Sequence, residues 1–474
     1  MAAALAEVHP AFGRTYPLVI GGELVGTDAE LVSIDPSRPG EVVGRTASAS
    51  PSDVDRAVEA AVRAFPAWRD AAVAERVRLL GRVAEILRRR RAELTAWIVY
   101  EAGKPWAEAD GDVAEAIDFV EYYRRQAVGL MAPLPLGHVR GEVNVYSREP
   151  RGVAAVIAPW NFPLAILAGM TSAALATGNT VVMKPAEQTP VIAAHLMAVF
   201  AEAGMPPGVV NYTPGLGETA GDRLVRHPAV SLIAFTGSQE VGARLYATAA
   251  APATGARQLK RVIAEMGGKN AIIVDDDADL DEAVQGVIAS AFGYAGQKCS
   301  ACSRVIGVGA IYERLVERLA EAARTLPVGP ADAPGTIVGP VIDAASREKI
   351  EGYIDLGKRL ARPVLIRDVP ADLAALGGYY IPPAIFADVP PSCALAREEI
   401  FGPVLSLTPA ADFAEALAIA VDSDYALTGG VFSRSPVNLE LARRAFRVGN
   451  LYINRAITGS RVGRQPFGGR QLSG

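Results

Sequence analysis

The sequence predicts an α/β protein with parallel sheets in more than one lobe. Three observations carry that expectation. From Gly152 onward short apolar runs alternate with helical-period segments, glycine or proline closes each run, and 474 residues exceed one ordinary core. Alternation of this kind places a parallel sheet between layers of helices, with ligands at the carboxyl ends of its strands.

The formal net charge of −5 leaves no basic excess to neutralise phosphates, which excludes a general nucleic-acid binder. The run Arg88–Arg91 continues a helical register and reads as a solvated helix face. Three cysteines, an odd number in a long chain, speak against a disulfide scaffold and for a reducing, cytoplasmic setting. The N-terminus lacks a basic start followed by a continuous apolar core, so no signal peptide is read there. The apolar stretch from Phe162 to Met183 carries Gly, Thr and Asn at helical intervals. It reads as a buried helix leading into a strand, and no membrane partner is expected.

The elements follow in order. "YPLVIGGELVG" holds two apolar runs around Gly21 and Gly22, a hairpin signal. "SPSDVDRAVEAAVRAFPAWRD" reads as a helix with Ser50 or Ser52 as its N-cap. Long helices are expected over 74–101 and 106–126, and short β-prone pieces between 127 and 150 predict a projecting hairpin. Strands are then read in "GVAAVIAPW", "NTVVMKPA", "VVNYTPG" and "VSLIAFTG", with the helix "PVIAAHLMAVFAEAG" ended by Gly204. A second strand–helix series starts near "RVIAEMGGKNAIIV", which puts a lobe boundary around Glu265.

Five segments offer chemistry. In "LIAFTGSQEVG", Gly237 and Ser238 stand where a helix begins and Gly242 lies one turn inside; this suits a phosphate, or a plain glycine turn with a serine cap. In "TVVMKPAEQTP", Lys184 and Glu187 suit the hydroxyls of a nucleotide ribose, or form a surface ion pair. In "VIAPWNFPLAI", Asn161 is an amide donor between rigid neighbours, suited to an oxyanion or to an Asx turn. In "AEMGGKNAI", Glu265 precedes a Gly-Gly pair that lets backbone pass close by, and burial there would tune a general base. Finally, "FGYAGQKCSACSR" sets Cys299 and Cys302 in Cys-x-x-Cys spacing. Four-ligand zinc lacks a second paired motif, no local histidine signature marks a protease, and the turn signals of a redox pair are missing. One activated thiol with a glutamate as hydrolytic base remains.

Taken together, "APWNFP", "KPAEQTP", "FTGSQEVG", "EMGGKN", "GQKCSACSR", "EEIFGPV" and "QPFGG" resemble the NAD(P)-dependent aldehyde dehydrogenase superfamily, from the first hairpin to the last residue. The resemblance implies an aldehyde-dehydrogenase-like α/β fold. A Rossmann-type parallel sheet for NAD would occupy 10–126 and 151–264, and a second α/β catalytic lobe 265–448. A small β oligomerisation flap with a substrate-anchor loop would occupy 127–150 and 449–474, lacking its C-terminal part. It makes Cys299 the nucleophile, Asn161 with the Cys299 backbone N–H the oxyanion donors, and Glu265 the base for deacylation. Cys302 becomes a small packing residue. Pro159, Trp160, Lys184, Glu187, Gly237 and Ser238 would hold the dinucleotide, with Glu399 and Phe401 on the nicotinamide ribose and ring. Glu187 would repel a 2′-phosphate, so NAD is expected over NADP. No metal is implied.

The C-terminal segment "GNLYINRAITGSRVGRQPFGGRQLSG" and "YEAGKPWAEADGDVAEAIDFVEYY" resemble the branch of the family that oxidises glutamate γ-semialdehyde, the Δ1-pyrroline-5-carboxylate dehydrogenases. That likeness implies Gly459, Ser460 and Ser300 at the substrate's carboxylate, Phe162 and Phe467 around its methylenes, and a functional link to proline dehydrogenase. Two departures accompany it. The chain begins close to the first hairpin, without an additional helical N-terminal segment, and it stops at "RQLSG", before the usual flap strand. A shortened form of a longer protein is therefore expected, with the family's homo-oligomer impaired by an unpaired edge. Two other readings stay open: a dehydrogenase of another carboxylated semialdehyde or aliphatic aldehyde, and a non-catalytic protein similar to some lens crystallins. The presence of Cys299, Glu265 and Asn161 argues against the second.

Overall fold

This computed structural model describes residues 1–251 and 254–474. They form two compact units. Residues 1–34, 42–101 and 109–264 make the first, and residues 35–41, 102–108 and 265–474 make the second. Among the described residues no helix is long and apolar enough to cross a membrane.

The first unit is organised by a seven-stranded sheet. Its strands run Arg261–Glu265, Val230–Thr236, Val153–Ile157, Thr180–Lys184, Val210–Tyr212, Leu18–Ile20 and Glu23–Val25 in spatial order. The four from Val230–Thr236 to Val210–Tyr212 are parallel, and the two N-terminal strands add an antiparallel hairpin at the edge. Gly21 and Gly22 turn that hairpin at φ of 63° and 89°, where a side chain would be strained. The Gly21 N–H donates to Asn211 Oδ1 at 2.8 Å, which fixes the hairpin to its neighbouring strand.

Helices cover the sheet as their sequences dictate. Ser50, not Ser52, caps Pro51–Asp70, in a reciprocal capping box with Asp53. The helix expected over 74–101 is two helices, Val73–Arg89 and Arg91–Ala102, broken at Arg90. Arg90 leaves the helical backbone at φ −94°, ψ 13°, and the four consecutive arginines here each pair with a different acid, Arg88 with Glu121, Arg89 with Glu202, Arg90 with Glu93 and Arg91 with Asp110. The apolar stretch after Phe162 forms the buried helix Ala165–Ala176, whose first N–H donates to the buried Asp112 carboxylate at 2.7 Å. Residues 127–150 hold a short two-stranded ribbon, Leu134–Pro135 against Val145–Tyr146. The first residues also form a helix, Ala2–Val8, with Leu5 and Val8 buried.

The second unit repeats the α/β plan. Its sheet runs Arg362–Leu365, Ala384–Ala387, Val404–Ala410, Cys302–Val308, Asn270–Val274, Thr428–Phe432 and Asn450–Ile453. All pairs are parallel except the edge pair of Arg362–Leu365 with Ala384–Ala387. Ile272 and Val274 pack into one apolar cluster, Ala271 and Ile273 into another on the opposite face. Burial on both faces is why these strands read as unbroken apolar runs.

Candidate active site

In the first unit, three neighbouring parallel strands end level with one another. Ile157 pairs with Lys184 on one side and Phe235 on the other. The segments that follow, Pro159–Trp160, Lys184–Glu187 and Gly237–Ser238, therefore share the carboxyl edge of the sheet, where open α/β sheets take ligands. Lys184 Nζ donates to Glu187 Oε1 at 2.6 Å, and the carboxylate keeps 34% of its side chain exposed. An ammonium and a partly exposed carboxylate at that edge fit a ribose diol. Ser238 caps the helix Gln239–Ala250, its Oγ accepting from Val241 N at 3.3 Å, so the cap reading holds and the helix N-terminus stands at the same edge. A Cβ on Gly237 would lie 2.5 Å from the Phe235 ring, which explains the glycine. Asn161, buried, and Phe162 follow Trp160 in this unit.

In the second unit, the Glu265–Asn270 turn organises the chemistry. Asn270 Nδ2 donates to the carbonyls of Cys299 at 2.7 Å and Ala301 at 2.9 Å, while its Oδ1 accepts from Thr428 N at 2.9 Å. One amide thus staples the starts of three adjacent strands and fixes the backbone of Cys299. This site gathers at the amino ends of its sheet, because Cys299 lies just before the strand Cys302–Val308. A Cβ on Gly268 would lie 2.5 Å from the Cys299 carbonyl, and one on Gly267 would lie 2.3 Å from Glu399 Oε2. Both glycines are needed for that approach. Glu399 Oε1 accepts from Gly268 N at 2.8 Å, and burial raises its pKa.

Glu265 begins the turn. One of its carboxylate oxygens, Oε2, is buried without a hydrogen-bond partner among the described residues. Burial pushes the carboxyl up to about 7, against a backbone hydrogen bond from Gly469 that pulls it down. The C-terminal residues close around it: Ser473 accepts from Met266 N through its carbonyl at 2.8 Å and from Ala426 N through its hydroxyl at 3.0 Å.

The two cysteines of the Cys-x-x-Cys pair differ. Cys299 is half-buried, Cys302 is buried, and neither is in a disulfide among the described residues. Burial drives the Cys302 thiol up to about 12, and its Sγ donates to the Arg304 carbonyl at 3.3 Å. Cys302 is a packing residue of the sheet. Of the substrate residues, Ser300 accepts from Thr428 Oγ1 through its carbonyl at 3.2 Å. Gly459 turns at φ 72°, and Ser460 Oγ donates to the Gln465 carbonyl at 2.7 Å, so that hydroxyl ties its own loop. Phe467 is exposed, and Phe401 holds a left-handed φ of 62°.

Sequence reasoning missed three contributors. Asn270 carried a signal, an amide directly after a Gly-Gly turn, yet its partners come from strands far along the chain. Lys349 Nζ donates to the Glu399 carbonyl at 2.9 Å from a helix fifty residues earlier. Lys269 is buried within the turn, and its Nζ has no hydrogen-bond partner among the described residues. Desolvation, with Arg304 nearby, lowers its pKa to about 7. A base depressed in the native state costs stability fully below about pH 7, and the cost fades as pH rises toward the unfolded value. Lys269→Met is expected to stabilise the fold at pH 7 by about 1–3 kcal/mol, with the gap closing toward pH 10, as read by denaturant unfolding at each pH.

The comparisons with known proteins fit this geometry. The model of the aldehyde dehydrogenase family matches residues 25–474. The chain belongs to the aldehyde dehydrogenase family. Within the family, it is 51% identical over 472 residues to the 1-pyrroline-5-carboxylate dehydrogenase of Geobacillus kaustophilus (strain HTA426), covering 100% of this chain and 91% of that one. The structure of 1-pyrroline-5-carboxylate dehydrogenase from Thermus with bound NAD superposes with a TM-score of 0.96 at 49% identity, over 99% of this chain and 90% of that one. Proline utilization A (PutA) from Bdellovibrio bacteriovorus matches with a TM-score of 0.97 at 47% identity, over 99% of this chain and 49% of that larger one.

Proposed function

We propose that this aldehyde dehydrogenase oxidises L-glutamate γ-semialdehyde, the open form of Δ1-pyrroline-5-carboxylate, to L-glutamate with NAD⁺. The observation that carries the chemistry is the shared turn: Asn270 fixes the Cys299 backbone while Glu265, at the start of the same turn, presents a half-buried carboxyl of raised pKa. The substrate rests on the full-length likeness to enzymes named for it and on the 459–467 loop.

The Cys299 thiolate adds to the aldehyde carbon, and the carbonyl oxygen becomes an oxyanion. Asn161 and the Cys299 N–H donate to that oxygen. Bound NAD⁺ would supply the hydride acceptor; loss of hydride from the tetrahedral carbon leaves it oxidised as a thioester on Cys299. Glu265 takes a proton from water, the hydroxide attacks the thioester carbon, and the thiolate leaves with glutamate freed. Lys184 and Glu187 would hold the adenosine ribose, and Glu187 would disfavour a 2′-phosphate; Pro159, Trp160, Gly237, Ser238, Glu399 and Phe401 would complete the dinucleotide site. Phe162 and Phe467 would cover the substrate methylenes, with Ser300, Gly459 and Ser460 at its carboxylate, the last through its backbone. A pathway link to proline dehydrogenase, homo-oligomerisation and cytoplasmic action belong to the same proposal.

Asn161→Ala is expected to lower the rate of the hydride step by roughly a hundredfold or more, about 3 kcal/mol, in single-turnover measurements. The substrate is tested by comparing kcat/KM for pyrroline-5-carboxylate, its homologue longer by one methylene, and simple alkanals. A clear preference for the first is expected; equal or better use of alkanals overturns the assignment.

A further inference from the structure

The residues just before the nucleophile take a conformation that residue type alone does not favour. Tyr294 (φ 54°, ψ 40°) and Ala295 (φ 52°, ψ 32°) are both left-handed, and Gly296 follows at φ 69°. Each non-glycine residue there costs roughly 1–2 kcal/mol, so the surroundings must hold the knuckle in place.

They do so largely through residues 102–108, which belong to the same unit. The buried Tyr294 hydroxyl donates to the Ala102 carbonyl at 2.7 Å, and the Lys104 ammonium lies 4.9 Å from the Tyr294 ring centroid. Gln297 donates to the Pro340 carbonyl at 3.2 Å and accepts from Ile342 N at 2.9 Å. Lys298, with 9% of its side chain exposed, donates to Glu108 Oε1 at 2.7 Å. Gly293 makes room for that pair: a Cβ there would lie 2.9 Å from Glu108 Oε1 and 3.3 Å from Lys298 Nζ. Cys299 is the next residue.

We propose that Glu108 is a positioning residue for the nucleophile that acts through charge: it holds and balances the Lys298 ammonium one residue from Cys299, while the Tyr294 and Gln297 contacts hold the left-handed knuckle itself. The inference rests on Cys299 as the nucleophile of the proposed function. Burial alone would raise the Glu108 carboxyl, and the Lys298 and Lys104 ammoniums more than reverse this, so it titrates below its usual range and stays anionic. The other charged groups around this pair and the Cys299 backbone are Lys104, which acts on Glu108, and Glu399, which accepts from Gly268 N in the turn packed on Cys299; they are the same in every variant below.

The test reads the thiol itself. The full chain without cofactor is alkylated with iodoacetamide across about pH 6 to 10, the range that brackets a thiol. Peptide mapping then follows Cys299 separately from Cys302 and Cys393. Lys298→Met removes the ammonium that Glu108 bonds and keeps the carboxylate, so the apparent pKa of Cys299 is expected to rise. Glu108→Gln leaves the ammonium unbalanced, so it is expected to fall. Each shift is expected to be about half a unit, roughly threefold in thiolate near neutrality. The double variant Glu108→Gln/Lys298→Met is expected to return close to the parent. Shifts of the same sign, no shift, or a double variant as displaced as the singles would overturn the proposal. If one single variant does not fold, the other and the double still decide the sign and the restoration. Cys299 alkylation is read without any aldehyde, so a wrong substrate assignment leaves this outcome untouched.

Discussion

Replacing Cys299 with alanine is expected to abolish aldehyde oxidation, lowering kcat by about 10⁴-fold or more, as loss of a covalent nucleophile does. The size of the effect follows from the neighbouring thiol. Cys302 is three residues away, yet it is buried, its pKa is driven up to about 12, and its Sγ is committed to the Arg304 carbonyl. At neutral pH it holds a negligible fraction of thiolate and cannot substitute. Cofactor binding should survive, because the Lys184–Glu187 pair and the helix capped by Ser238 lie in the other unit. The check is cofactor reduction with pyrroline-5-carboxylate beside dinucleotide binding by fluorescence. Turnover within tenfold of the parent would remove Cys299 from its role.

Glu265→Gln is expected to separate the two halves of the reaction. Hydride transfer needs no base at Glu265, so one equivalent of reduced cofactor per site should form in a burst. Deacylation then stalls, with steady-state turnover down by about 10²–10⁴-fold, the worth of a positioned base. In the parent, steady-state turnover should rise with pH through about 7, the pKa to which burial brings this carboxyl. The same shift has a stability sign. A carboxyl whose native pKa is raised binds extra protons in the folded state, so its contribution is full at low pH and is lost as pH rises from about 4.5 to about 7. At pH 8 the Gln variant should therefore unfold at a higher denaturant concentration than the parent, an activity–stability trade localised to one side chain. A variant that turns over at the parent rate, with no burst, would exclude Glu265 as the base.

The alternating strands were legible because both sheets are buried on two faces and their strands read as apolar runs closed by glycine or proline. The hairpin at Gly21–Gly22 and the cap at Ser50 were legible for local reasons, positive φ and a side-chain acceptor at the right offset. The break at Arg90 was not, because the helical period continues through it and only the backbone of one residue departs from the helix. At the site, Gly267 and Gly268 announced a close approach, but not that Cys299 and Glu399 are what approach. The left-handed Tyr294 and Ala295 left no trace in residue type, since tertiary partners impose them. Glu108 and Lys298 stand far apart in the chain, beyond the reach of any spacing rule. Ser238 caps its helix, as one of its two readings expected, and a helix start serves its own N–H groups as well as a ligand's.

The central claim, a thioester formed on one sulfur and cleared by one carboxylate, is tested most directly by trapping it. The Glu265→Gln variant is mixed with NAD⁺ and pyrroline-5-carboxylate, quenched in acid and mapped by mass spectrometry. A glutamyl group on the peptide carrying Cys299, in about the same amount as the reduced cofactor, is the predicted result. Reduced cofactor with no acyl group on Cys299, or the group on another residue, would contradict it.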